Sequence, residues 1–291
     1  MNKMYANLHF HSIHSDGPDT VETLVHIAKE EGYKALALAD HDTATGVLPM
    51  MEECKKHGLE FIVGTEFSGL GFDQTFHIVG LDFDMEHPRM KEHLAYMSKR
   101  CVYRTKGLFD DAVLNGRIKG ITWEEVEEAN KGITFLCADH VFAAMKKKGI
   151  ITEAEYPDFH KNNFSYRIPF ENIYEDKSIE EVVSIINEAG GVAVLAHPGN
   201  KQMDLLPKLI KIGIKGIEAW HPDHTDEEAH RAESLAEKYN LYISGGTDHS
   251  GLMGGQYQFY KDKSENPYYI PSLKYGTTEE NFKKLKNRVL G

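Results

Sequence analysis

Two histidines one residue apart, His9 and His11, close the segment Asn7-Leu8-His9-Phe10-His11, and Ser15-Asp16-Gly17 follows. On a strand, residues i and i+2 face the same side, so the two imidazoles stand side by side at the end of a short apolar run. That is a metal-ligand geometry. With 16 histidines in the chain, one pair alone says little, and the remaining histidines and carboxylates must carry the argument. Set together, the groups at predicted strand ends are His9, His11, Asp16, His41, Glu66, His77, His197 and Asp248. Such a mixture of imidazoles and carboxylates suits zinc, manganese or iron, whereas calcium or magnesium calls for mostly oxygen ligands. One metal takes three or four protein ligands, so this set implies two or three divalent ions. Glu66 is the natural bridge, because each of its two oxygens can bind one ion.

The elements that would position these groups follow from hydrophobic periodicity. Asp19 can cap a helix whose apolar face is Val21, Leu24, Val25 and Ala28 and which stops at Gly32. Ala35 to Ala39 is a short apolar run, a strand buried on both faces, ending in Asp40-His41-Asp42. The spacing then predicts a helix over 46–57 and strands over 61–66 and 76–81. Capping boxes at Ser178/Glu181 and Thr225/Glu228 open helices leading to strands 191–198 and 241–249, and a helix over 204–212 leads to strand 214–221. Seven strands mostly separated by helices argue for an α/β fold with a mostly parallel sheet, closed into a (β/α) barrel. In a barrel His11, Asp40, His41, Glu66, His197, His221 and Asp248 meet at one face. An open doubly wound sheet would scatter them, and no glycine-rich nucleotide fingerprint is present.

Between 85 and 170 the rhythm changes to helical patterns over 90–116, 122–129 and 139–148. The expected organisation is therefore a barrel domain from 1–84 and 171–291 with an all-helical inserted subdomain, 85–170, acting as a lid or specificity element. After Asp248 come Tyr257, Phe259, Tyr260, Tyr268, Tyr269 and Tyr275, read as packing or as a stacking surface for a base or sugar, and then a last helix over 278–289.

Composition sets outer bounds. With 291 residues, 41% hydrophobic and 27% charged, the chain can bury one large core. No run approaches the ~20 apolar residues of a membrane helix, and the first residues lack an apolar leader, so a cytoplasmic protein with no membrane partner is expected. Cys54, Cys101 and Cys137 are too few and too scattered for a disulfide framework or a zinc knuckle. A formal net charge of −12 disfavours long nucleic acid but leaves room for a small phosphorylated substrate at a metal site. Oligomeric state is not legible.

Five segments in order, Asn7-Leu8-His9-Phe10-His11, Ala39-Asp40-His41-Asp42-Thr43, Val63-Gly64-Thr65-Glu66, Ala196-His197-Pro198-Gly199 and Gly246-Thr247-Asp248-His249, resemble the motifs of the PHP (polymerase and histidinol phosphatase) domain family. Asp139-His140-Val141-Phe142-Ala143, in the helical insertion, is similar to members that are small-molecule phosphoesterases. The resemblance implies a distorted (β/α)7 barrel, with His9, His11, Glu66 and Asp248 on a first metal, Glu66, His77 and His197 on a second, and Asp16 and His41 on a third. Two positions depart from the pattern: Asn7 replaces an aspartate, and Ser250 stands where a histidine is usual. His249, beside Asp248, would point away from the site on a continuing strand and could reach a metal if the backbone turns.

The ligand set suggests metal-assisted hydrolysis of a phosphate monoester. His221, His224 and His140 are the candidates for proton donation to the leaving group, and Arg100 and Arg104, one helical turn apart, for binding phosphate together with His140. A solvated helix face is an equal reading of the arginines. Two other functions compete. A metal-dependent amidohydrolase would use similar ligands but commonly has a bridging lysine, absent from these strand ends. A non-catalytic metal-binding module would fit the changes at Asn7 and Ser250.

Overall fold

The computed structural model describes residues 4–165, 173–249 and 274–290. Strands β1 (Ala6–Asn7), β2 (Ala35–Leu36) and β3 (Glu60–Phe61) pair in parallel in that order. Strands β4 (Gly64–Gly71) and β5 (Gln74–Leu81) form an antiparallel hairpin, β6 (Val192–Leu195) pairs antiparallel to β5, and β7 (Gly216–Trp220) and β8 (Tyr242–Gly245) continue in parallel. Isolated bridges join the two sets, His41 to Glu66 on one side and Phe10 to His249 on the other. The Leu8 amide donates to Gly245 O (3.0 Å) and the Asp248 amide to His9 O (2.7 Å), so backbone pairing runs on from β8 to the start of the chain.

Two features differ from the periodicity. The stretch expected as one strand over 61–66 breaks at Ile62-Val63 into β3 and β4. Strand β5 runs against its neighbours, because Phe72 (φ 49°) and Asp73 (φ 60°) are both left-handed and form a two-residue hairpin turn between Gly71 and Gln74. Neither residue belongs to the Asn-Gly or Asp-Gly pairs that announce such a turn.

Helices α1 (Val21–Glu31) and α2 (Val47–His57) follow β1 and β2. Thr20, rather than Asp19, caps α1, its Oγ1 accepting the Thr23 amide at 3.4 Å, and Gly32 closes the helix at φ 101°. Then come α3 (Pro88–Leu114), α4 (Trp123–Ala129), α5 (Ala138–Lys147) and α6 (Tyr156–Asn163), the last short and unforeseen. They bury Phe109, Trp123, Val126, Phe142 and Phe159 against one another in a core of their own. Helix α7 (Ile179–Glu188), the short α8 (Asn200–Asp204) and α9 (Leu206–Lys211), and α10 (Asp226–Tyr239) alternate with the last strands. The apolar faces of α7, α9 and α10 cover Ile78, Leu195 and Ile217. Helix α11 (Glu279–Lys286) places Phe282 and Leu285 against Leu8, Val79 and Val194. Among the described residues no helix is long and apolar enough to cross a membrane. Tyr257, Phe259, Tyr260, Tyr268, Tyr269, Ser250 and the boundary at 171 lie outside the described residues. Tyr275 is buried, and its carbonyl accepts the Tyr33 hydroxyl at 2.7 Å.

Candidate metal centre

Glu66, on β4, is 1% exposed and divides its two oxygens between opposite sets of imidazoles. Oε1 lies 3.0 Å from His77 Nδ1 and 3.0 Å from His197 Nε2. Oε2 lies 3.0 Å from His41 Nδ1, 3.4 Å from His9 Nε2 and 3.5 Å from His11 Nε2. His77 sits in the middle of β5, not at a strand end. It reaches the centre because β4 and β5 are antiparallel, with Glu66 opposite Val79 and Ser68 opposite His77, so Glu66 and His77 are diagonal neighbours on one face. Asp248 closes the far side: Oδ1 is 2.8 Å from His11 Nε2 and 3.7 Å from His9 Nε2, and Oδ2 is 3.3 Å from His221 Nε2. Asp16 lies at the near edge, with Oδ1 3.3 Å from His11 Nδ1 and Oδ2 3.6 Å from His41 Nε2.

The backbone is bent to aim these groups. Asp42 (φ 49°), His197 (φ 28°) and Asp248 (φ 45°) are left-handed without being glycine, a strained conformation that clusters at functional sites. Two glycines permit close approach. A Cβ on Gly246 would stand 2.4 Å from His9 N and Cβ, and one on Gly17 would stand 2.4 Å from His11 O.

The donor set fits divalent metal. Tetrahedral ligation at about 2.1 Å puts neighbouring donors about 3.4 Å apart, close to the 2.8–3.7 Å separations here. His9 Nε2 and His11 Nδ1 are buried and make no hydrogen bond among the described residues, an arrangement that costs free energy unless something else binds there. The candidate ligand groups are His9-His11-Asp248, His9-Glu66-His197, His41-Glu66-His77, His11-Asp16-His41 and His9-Glu218-His221.

Without metal, the carboxylates and four of the imidazoles, His9, His11, His77 and His197, hold one another in charged forms, while burial shifts His41 and His221 toward the neutral form. Burial alone would lower His11, but Asp16, Asp248 and Glu66 outweigh it and lift it to about 9. His197 likewise rises to about 9 against burial, through Glu66 and Asp248. Burial would raise Glu66 and Asp248, yet the surrounding imidazoles hold both well below the usual carboxylate range.

Glu218, within strand β7, is a member of the centre that residue spacing did not single out. It is fully buried, its two oxygens lie 3.1 and 3.0 Å from His9 Nδ1, and Oε2 also accepts the His197 amide at 2.9 Å. His9 holds it down to about 2 against the opposing effect of burial, so it is a carboxylate. A charged residue between Ile217 and Ala219 in an otherwise apolar strand was the available signal. Asn7 joins the two chain segments that carry His9 and Asp248: Oδ1 accepts the His9 and Thr247 amides (3.3 and 3.1 Å), and Nδ2 donates to Thr247 Oγ1 (2.9 Å).

Several anticipated residues are occupied elsewhere. The backbone does turn at Asp248, yet His249 Nε2 faces Asp19 Oδ2 at 3.1 Å, and His249 joins none of the candidate ligand groups. His140 uses both ring nitrogens on backbone, Nδ1 accepting the Cys137 amide (3.0 Å) and Nε2 facing Ile13 O (2.9 Å). His224 lies between Ala219 O (2.7 Å) and Pro198 O (3.1 Å). Arg100 is ion-paired with Asp176 and Arg104 is exposed, and neither pairs with a carboxylate of the centre among the described residues. Of the anticipated proton donors, His221 alone has a ring nitrogen turned to the cluster. Its Nδ1 accepts the Asp223 amide at 3.1 Å, which leaves the ring proton on Nε2, beside Asp248.

The model of the PHP domain family matches residues 7–166. The phosphoribosyl 1,2-cyclic phosphate 1,2-diphosphodiesterase of Eggerthella lenta is 32% identical over 264 residues, covering 86% of this chain and 96% of its own length. The 5'-3' exoribonuclease Rnm of Salmonella typhimurium is 31% identical, with 83% of this chain and 84% of that protein covered. The 3',5'-nucleoside bisphosphate phosphatase of Chromobacterium violaceum is 30% identical, with 86% and 89% covered. Among solved structures, one described as a metal-dependent phosphoesterase of Bifidobacterium adolescentis shares the fold, with a TM-score of 0.76 over 98% of this chain and 96% of its own at 24% identity.

Proposed function

This chain belongs to the PHP domain family, and from that premise we propose that it is a metal-dependent phosphoesterase that hydrolyses a small phosphate monoester at the Glu66 cluster. The observation that carries the reading is the division of Glu66, Oε1 at 3.0 Å from His77 and His197 and Oε2 at 3.0–3.5 Å from His41, His9 and His11. In this reading His9, His11, Asp248 and Glu66 would hold one divalent ion, Glu66, His77 and His197 a second, and Asp16 and His41 a third, of manganese, zinc or iron. When bound, such ions polarise phosphoryl oxygens and make water a nucleophile near neutral pH.

The chain's own residues do the rest. Glu218 keeps the His9 proton on Nδ1, so that Nε2 presents its lone pair to the centre. His221, neutral with its ring proton on Nε2, can donate a hydrogen bond from that atom toward a phosphoryl or leaving oxygen. The floor of the site is dry, with His9, His11, Glu66 and His221 each no more than 1% exposed, while Asp16, His41, His77 and His197 are half-buried and form its open side. We also read the backbone pairing as the distorted (β/α)7 barrel of the family, with 85–170 inserted as a helical element over the strand ends.

The named substrates of the relatives are a cyclic phosphate, RNA and a nucleoside bisphosphate. The test is phosphate release from mononucleotides, nucleoside bisphosphates, cyclic nucleotides, sugar phosphates and a short oligoribonucleotide, using protein stripped and reloaded with manganese, with His9→Ala as control. Release from a small monoester that needs both manganese and His9 supports the reading. Cleavage confined to the cyclic phosphates or the oligoribonucleotide overturns its monoester part, and no cleavage of any ester by metal-loaded protein overturns it whole.

A further inference from the structure

Asp16 does not sit on a regular element. It lies in the turn 12–17, whose shape therefore decides whether its carboxylate faces His11 and His41. From below, Asp40 accepts from Ser12 N (2.7 Å), Ser12 Oγ (2.7 Å) and Ser15 Oγ (2.7 Å), and the Ser15 and Gly17 amides both donate to Ser12 O (3.0 Å each). From above, the start of α5 meets the same turn. His140 Nε2 is 2.9 Å from Ile13 O, and Cys137 Sγ is 3.4 Å from Ser15 O. The proton needed for the first contact is assured, because His140 Nδ1 accepts the Cys137 amide at 3.0 Å and the ring proton must sit on Nε2. His140 is 4% exposed, and burial lowers its affinity for a second proton, in keeping with this neutral form. Thus the backbone carbonyls three residues and one residue before Asp16 are both approached by side chains of the helical segment.

We propose that His140, supported by Cys137, is a positioning residue: from α5 it grips the turn 12–17 and so sets Asp16 against His11 and His41. The helical segment thereby governs occupancy of the ion held by Asp16 and His41, and leaves the ions on Glu66, His77, His197 and Asp248 largely untouched. A partner hydrogen-bonded directly to a metal ligand changes metal affinity about 10–100-fold when removed, and His140 acts to the same end through the turn that carries Asp16. The inference rests on the reading of Asp16 as a metal ligand.

The test is manganese titration of the stripped full-length protein against a competing chelator, for wild type, Asp16→Asn, His140→Ala and His140→Gln, with hydrogen exchange followed over residues 11–17. His140→Ala is expected to weaken the same ion as Asp16→Asn by about 10–100-fold and to hold the others within about threefold. It should also speed exchange of the Ser15 and Gly17 amides. His140→Gln, whose amide can donate to Ile13 O, should recover part of both losses. If His140→Ala proves too unstable to titrate, the glutamine variant together with Cys137→Ala carries the comparison. An isotherm and exchange pattern unchanged in folded His140 variants overturns the proposal, whatever happens to turnover. Should Asp16→Asn keep every ion, the ligand reading itself fails. Loss of an ion in Asp16→Asn without any effect of His140→Ala removes only the clamp.

Discussion

Replacing Glu218 with glutamine keeps the side chain's shape and removes one charge, so its effect is set by the hydrogen bonds the carboxylate makes. The carboxylate accepts twice, from His9 Nδ1 (3.0 and 3.1 Å) and from the His197 amide (2.9 Å). A glutamine has one accepting oxygen. If that oxygen takes the place of Oε2 it can still meet both the His197 amide and His9 Nδ1, but the NH₂ then stands on the other side of Nδ1 and the charge that holds the proton there is gone, which favours the tautomer with the proton on Nε2, the atom that faces Glu66 and Asp248. The interaction lost is a buried hydrogen bond to a charged acceptor, about 1.5–3 kcal/mol, which corresponds to roughly a 10–100-fold loss of metal affinity at 1.4 kcal/mol per decade. That matches the usual cost of removing a histidine's outer partner. The assay is chelator-competition titration of manganese at neutral pH, with thermal unfolding to confirm that the variant is folded. An affinity within about threefold of wild type would refute this reasoning. A loss beyond about a thousandfold would refute it in the other direction, since that would make Glu218, which also groups with His9 and His221, a ligand in its own right.

Metal uptake should release protons and tighten as pH rises. His11 and His197 both stand near 9 in the metal-free protein, so at pH 7 they are protonated and a metal must displace those protons; apparent affinity should climb from pH 6 to about 9 and then level, and a flat profile would contradict this. The same raised values make the metal-free protein lose stability as pH rises from 6.5 through about 9, because the imidazolium–carboxylate contacts are present in full only below the unfolded value; thermal melts of stripped protein across that window check it, and a melting point that rises there would be evidence against it. Gly246→Ala should cost about 1–3 kcal/mol or more, because its Cβ would meet backbone N and O of His9 at 2.4 and 2.6 Å, where no flexible side chain can yield; an unchanged melting point would count against that close approach.

Much of the centre was legible because metal chemistry leaves local marks. His9 and His11 face one side by strand periodicity alone, and Glu66, His197 and Asp248 each stand at the end of an apolar run. What stayed hidden depends on contacts distant in the chain. At the turn Phe72-Asp73 only Asp73 is of a type that favours the left-handed region and no glycine follows it, so the hairpin that carries His77 to Glu66 was weakly marked. Glu218 reads as one more strand residue until His9, 209 positions away, is seen beside it. His140 and His224 look like free imidazoles in sequence, but their ring nitrogens face backbone atoms that only the fold brings close. Asp19 is a good helix cap by type, yet Thr20 takes that place and Asp19 turns to His249, a choice between adjacent residues that tertiary contact decides.

The central claim is that Glu66 joins two ions through its separate oxygens. Manganese per chain and phosphate release, measured on the same reloaded samples of wild type and Glu66→Gln, test it most directly. At least two ions per wild-type chain are expected, and for Glu66→Gln the loss of at least one ion together with turnover. A single ion in the wild type, or a Glu66→Gln variant that keeps its full metal content and activity, would contradict it.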